Sequence, residues 1–116
     1  MSHLHQSIFV LRGFKIDIES QTLENVAYRR VLYTTKQSQL VVMSIPTGDD
    51  IDREVHRHTT QFIRIEQGTC VVYVDDKQYR LKDGDCVMIP AGATHYVKNT
   101  SDKVLKLYTF IYFLAN

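Results

Sequence analysis

Four side chains that could share a metal ion sit within "REVHRHTTQFIRIEQG" (residues 53–68): Glu54, His56, His58 and Gln61. Imidazole nitrogen with carboxylate and amide oxygen is a donor set for divalent transition metals. In extended chain, side chains two residues apart share a face, about 6.6 Å apart along the strand. Glu54, His56 and His58 therefore line up if "REVHRH" is extended. A regular strand rarely aims three successive side chains at one point, however. A bend at Thr59–Thr60 would instead turn the chain back, bring Gln61 over the ion and leave His58 at the rim. Both ligand sets stand at this point. Another candidate, His95, lies in "GDCVMIPAGATHYVKN" (84–99). There Pro90-Ala91-Gly92 predicts a tight turn, and His95 opens a strand on whose face Val97 also lies. Alternation turns Tyr96 away from such an ion.

These residues need a rigid frame, and the flanking pattern predicts one made of strands. "SQLVVMSI" (38–45), "QFIRIE" (61–66), "TCVVYV" (69–74), "QYRLK" (78–82), "CVMIP" (86–90) and "VLKLYTFIYFL" (104–114) are rich in β-branched and aromatic residues. Pro, Gly and Asp punctuate them at the spacing of a sandwich or barrel. "DDK" between Val74 and Gln78 reads as a hairpin connection. Gly48, Gly68, Gly84 and Gly92 are turn residues without chemistry of their own. Residues 19–35 carry two signals: a short helical turn in the middle, and strand-like alternation in "YRRVLYT". The prediction is all-β, with one short helical turn near the N-terminus.

Length and composition bound the function. The 116 residues are the size of one domain, 1–116, and long enough to bury one core. Hydrophobic residues make up 44% and charged residues 23%, and the net charge is +1. Scattered Lys and Arg offer no footprint for nucleic acid or an acidic membrane. No apolar run approaches the ~18 residues of a membrane helix, and "MSHLHQSIFV" lacks a signal-peptide core. Cys70 and Cys86 fit a reducing compartment better than a disulfide framework. The expectation is a cytoplasmic protein. His3 and His5 read as exposed tail residues, and Tyr73, Tyr96, Tyr108 and Phe110 as core or cavity lining.

With these residues in place, the chain resembles the cupin superfamily, whose fold is a double-stranded β-helix, or jelly-roll barrel. The first cupin motif runs Gly, five residues, His, one, His, three or four, Glu, six, Gly. Gly48, Glu54, His56, Gln61 and Gly68 fill those positions with every spacing intact. The second runs Gly, five, Pro, one, Gly, two, His, three, Asn, and Gly84, Pro90, Gly92, His95 and Asn99 match it without a gap. Fifteen residues separate Gly68 from Gly84, and the motif core covers 48–99.

The resemblance implies one divalent metal ion, zinc, manganese, iron or nickel, held by Glu54, His56, Gln61 and His95. His58 becomes an outer hydrogen-bonding partner or an alternative ligand. Relative to the usual three histidines and one glutamate, the first His is Glu54 and the Glu is Gln61. One carboxylate is kept, and with it a local charge near +1 around a divalent ion. "EVHRHTTQFIRIEQG", "LKDGDCVMIPAGATHYVKNTSDK" and "LKLYT" further resemble the small mannose-6-phosphate-isomerase-like cupins.

For function, the resemblance implies a metal-dependent enzyme, an isomerase, lyase or dioxygenase, acting on a small carbonyl- or hydroxyl-bearing molecule. Glu54 could serve it as general base. The alternative is a non-catalytic module that binds a small ligand or metal, as a sensor or accessory protein. Arg53, Arg57 and Arg64 are the nearest cations for a phosphorylated substrate, and surface charge explains each equally well. Cupins of this kind are commonly dimers, and a homodimer is expected, with "TFIYFL" (109–114) covering an exposed edge.

Overall fold

A computed structural model of the chain describes residues 12–114. The β-rich runs form nine strands: β1 Arg29–Thr34, β2 Ser38–Ile45, β3 Asp50–Val55, β4 Thr59–Gln67, β5 Thr69–Val74, β6 Lys77–Lys82, β7 Cys86–Ile89, β8 Thr94–Asn99 and β9 Leu105–Phe113. They pair antiparallel into a five-stranded sheet, β1-β2-β9-β4-β7, and a four-stranded sheet, β3-β8-β5-β6. The architecture is that of a double-stranded β-helix. The two inner faces meet in one core that includes Val41, Met43, Ile45, Ile63, Ile65, Val72, Val97, Leu105 and Leu107. Strand alternation supplies this face from each run, for instance residues 41, 43 and 45 of β2.

Helix α1 (Ile18–Glu24) is capped by Asp17, whose carboxylate accepts from the Ser20 amide at 3.2 Å. It packs against β9, β4 and β2 of the five-stranded sheet. Below it, Ser44 Oγ donates to the Asn25 carbonyl at 2.6 Å. Both signals in residues 19–35 are therefore realised in succession, helix first and strand second. The helix comes earlier than the predicted middle of the segment because Asp17 starts it. No helix among the described residues is long and apolar enough to cross a membrane.

Two other expectations need correction. Strand β3 ends at Val55, so His56 and His58 are not strand residues, and the bend falls at Arg57–His58, with Thr59 and Thr60 already in β4. Pairing explains this: Thr59 and Thr60 lie opposite Phe113 and Tyr112 of β9, which holds them in the sheet. Tyr73, Tyr96, Tyr108 and Phe110 occupy outward positions of their strands and none lines the interior cavity. Tyr96 instead donates to Asp50 at 2.6 Å and packs against Tyr73.

Candidate metal centre

The inner face of β8 carries His95, Val97 and Asn99 in alternation. His95 lies directly opposite Glu54 of β3, and Val97 opposite Ile51. Two steps on β8 thus match three on β3, the signature of a β-bulge between Ile51 and Glu54. Strict alternation would send Ile51 and Glu54 to opposite faces. The extra residue turns both inward, and both line the same cavity. The bulge aims the carboxylate.

His56 reaches the same point from the loop after β3. The Gly92 amide donates to the His56 carbonyl at 2.8 Å, tying this loop to the turn that precedes β8. Gly92 has φ +88°, in the left-handed region that favours glycine. Across the turn, Asp75 at the tip of the β5–β6 hairpin accepts from the Thr94 amide at 2.9 Å and fixes the start of β8.

Glu54 Oε1 lies 3.3 Å from His56 Nε2 and 3.5 Å from His95 Nε2. The two imidazole rings are 5.4 Å apart at a tilt of 37°. One ligand atom from each of the three residues falls within 4.8 Å of the others. Donors 2.0–2.1 Å from one tetrahedral ion are separated by about 3.4 Å. The three side chains therefore fit a shared cation, and the donor set of two nitrogens and one oxygen suits a divalent transition metal. His95 is buried at 2% exposure, whereas His56 and Glu54 are near half exposed, at 46% and 45%. The cluster thus opens from the interior toward the cavity mouth.

Burial pushes the His95 imidazole below its ordinary pKa of 6.5; the Glu54 carboxylate opposes this and the His56 ring adds to it. A neutral ring with a free nitrogen lone pair is the form that ligates.

Gln61 faces the cluster from the five-stranded sheet. Its Nε2 donates to Thr109 Oγ1 at 3.0 Å, while its amide oxygen accepts from no group among the described residues. Glu54, His56, Gln61 and His95 all line one cavity of about 170 Å3. Met43, Ile51, Ile63, Val97, Leu107 and Ile111 supply its apolar walls. His58 is exposed and does not line it, and its carbonyl accepts from the Leu114 amide at 2.7 Å. His3 and His5 lie outside the described residues.

Of the polar lining residues, the sequence alone did not single out Tyr28, Arg29 or Thr109. Partial burial raises the Tyr28 phenol pKa, helped by the charges of Asp52, Glu54, Asp50 and Asp49. None of the three arginines weighed for a phosphorylated substrate lines the cavity. Arg53 lies over the Tyr96 ring at 5.9 Å, Arg64 pairs with Glu66 at 3.9 Å, and Arg57 is exposed. Cys70 and Cys86 are both free; Cys70 is buried, with its thiol pushed up to about 12, and Cys86 is exposed.

The cupin domain model matches residues 41–112, which span every residue of this cluster. The chain belongs to the cupin family. Among its relatives, protein L612 of Acanthamoeba polyphaga mimivirus is 40% identical over 100 residues, covering 83% of this chain and 62% of its own length. Bacillus subtilis YrkC is 36% identical over 104 residues, covering 84% of this chain and 56% of its own length. This cupin thus spans less than two thirds of either relative. The crystal structure of Bacillus halodurans BH2720 superposes with a TM-score of 0.87 at 37% identity, covering 91% of this chain and 85% of that one.

Proposed function

We propose that this cupin binds one divalent cation through Glu54, His56 and His95, with the Gln61 amide oxygen as fourth donor, and acts on a small carbonyl- or hydroxyl-bearing molecule. The observation that carries the reading is the convergence of Glu54 Oε1 on two imidazole nitrogens at 3.3 and 3.5 Å. Zinc, manganese, iron and nickel all suit the donors. When bound, such an ion supplies Lewis-acid polarisation of a substrate oxygen. The chain's own residues do the rest. The Gly92 tie and the β3 bulge hold the donors in place, and the apolar walls exclude water around a bound molecule. Glu54, half exposed at the mouth, is placed to take a proton on its second oxygen, Oε2.

An isomerase, lyase or dioxygenase of the mannose-6-phosphate-isomerase-like group is the reading we favour, in the cytoplasm. The second reading, a binding module without turnover, draws on the sparse acid–base equipment: Glu54 is the only carboxylate lining the cavity among the described residues. Strand β9, which holds most of "TFIYFL", is the middle strand of its own sheet and covers no edge, contrary to expectation; we further propose a homodimer formed instead through the outer face of the five-stranded sheet. There Leu40, Phe110, Phe62 and Met88 stand in one register row, with Phe110 and Met88 40% and 61% exposed. Light scattering should give twice the 13.5 kDa chain mass.

The decisive experiment is elemental analysis of protein purified without chelating resin. We expect close to one equivalent of metal in the wild type and in His58→Ala, and loss of it in Glu54→Ala and His95→Ala. Full metal content in either of the last two would overturn the assignment.

A further inference from the structure

We propose that the substrate or ligand is a small carboxylic acid, and that Arg29 holds its carboxylate at the mouth of the cavity. This rests on the proposed metal site and adds to it the chemical class of the molecule bound.

Arg29 is brought to the mouth by strand register. It lies directly opposite Met43 on β2, and Met43 is a cavity-lining residue of the inner face. Paired residues of an antiparallel ladder project to the same side, so the Arg29 side chain leaves β1 toward the interior. It is the single Lys or Arg among the described residues that line the cavity.

Its hydrogen bonding is incomplete. Arg29 Nη2 donates to Gln39 Oε1 at 3.2 Å, and Gln39 is oriented in turn by donating through Nε2 to Thr34 Oγ1 at 3.2 Å. This relay steers the guanidinium without neutralising it. Among the described residues, no carboxylate lies within ion-pair distance of Arg29, in contrast to Arg64 with Glu66. A guanidinium has five donors in a planar fork that matches a carboxylate.

Charge and size narrow the class. One guanidinium balances one carboxylate; a phosphate monoester near neutral pH brings almost two negative charges. The cavity of about 170 Å3 holds on the order of six waters, which admits a compact acid. With its carboxylate on Arg29, a 2-hydroxy or 2-oxo acid would turn its second oxygen toward the face formed by Glu54, His56 and His95.

The test is calorimetric titration of metal-loaded protein with lactate and glycolate, and with their uncharged amides lactamide and glycolamide. The metal content of the same samples is measured. We expect the wild type to prefer the acids by tenfold or more. Arg29→Gln should lose about 10- to 100-fold in acid affinity, with amide binding, metal content and melting temperature unchanged. Arg29→Lys, which keeps the charge but not the fork, should fall between the two. Equal binding of acids and amides by the wild type, binding of neither acid, or an Arg29→Gln protein that binds acids like the wild type, would overturn the proposal. The two failures separate: a wild type without metal sinks the metal-site reading, whereas a metal-replete wild type without acid preference sinks only the assignment of Arg29.

Discussion

His95 and Asn99 share one face of one strand, four residues and about 13 Å apart, and the molecule treats them in opposite ways. Both are buried, at 2% and 5% exposure. Asn99 spends its whole hydrogen-bonding capacity on the frame. Its Nδ2 donates to the carbonyls of Ile45, Pro46 and Lys103 at 3.0, 3.2 and 3.1 Å, and its Oδ1 accepts from the amide and hydroxyl of Ser101, both at 2.8 Å. His95 keeps capacity in hand: among the described residues Nδ1 is buried without a hydrogen-bond partner, and Nε2 lies 3.5 Å from the Glu54 carboxylate of the neighbouring strand. A satisfied buried polar group is a structural fastener, whereas an incompletely satisfied one beside a cavity is available for a ligand. The second motif thus contains one residue for the fold and one for the candidate site.

Substitutions can break that contrast. The largest effect is expected from Asn99→Ala, which leaves three carbonyls and the Ser101 amide without their partner. Chemical denaturation should show a loss of about 3 kcal/mol, with metal binding by the folded fraction retained. His95→Ala should do the reverse. Its metal affinity, measured by chelator competition, should fall more than about 100-fold. The stability of the metal-free protein should change by only about 1 kcal/mol, because an unpartnered polar atom is removed with the ring.

Gly92→Ala acts on the turn within the second motif, three residues before His95. A Cβ there would meet nothing within 4 Å, so the cost is the left-handed backbone alone. About 1–2 kcal/mol of stability should be lost. Metal affinity should weaken with it, because the Gly92 amide anchors the His56 loop. The smallest effect is on pH. His95 is held neutral in the fold, with its pKa below 6.5, so the unfolded chain takes up a proton first on acidification. Its contribution to metal-free stability is whole above pH 6.5 and declines as pH falls from there through the native value. His95→Ala should flatten that part of a stability–pH curve, and Asn99→Ala should leave it unchanged.

Much of this was legible in the sequence, and the rest was hidden for physical reasons. The resemblance to the two cupin motifs, from Gly48 to Gly68 and from Gly84 to Asn99, singled out Glu54, His56, Gln61 and His95 as a set, and all four line one cavity. Alternation alone gave the inward face of β8 and the outward direction of Tyr96. It could not give the bulge between Ile51 and Glu54, because one extra residue in a strand leaves no periodic mark. It misplaced the bend after β3, because Thr59 and Thr60 are held in β4 by pairing with Phe113 and Tyr112, some fifty residues away. Arg29 was missed for a similar reason. "YRRVLYT" puts Arg29 and Val31 on one face, but only the pairing with Met43 and Val41 shows that this face looks inward. A second bulge, between Val31 and Tyr33, then turns Tyr33 outward to stack on Phe14 at 4.5 Å.

The central claim, that Glu54, His56 and His95 close on one cation, is tested most directly by an anomalous difference map from crystals of the metal-bearing protein, collected at the absorption edge of the metal found. A single peak is expected in the cavity, within about 2.0–2.2 Å of Glu54 Oε1 and the Nε2 atoms of His56 and His95. A metal peak elsewhere on the molecule, or one bonded to neither imidazole, would contradict it.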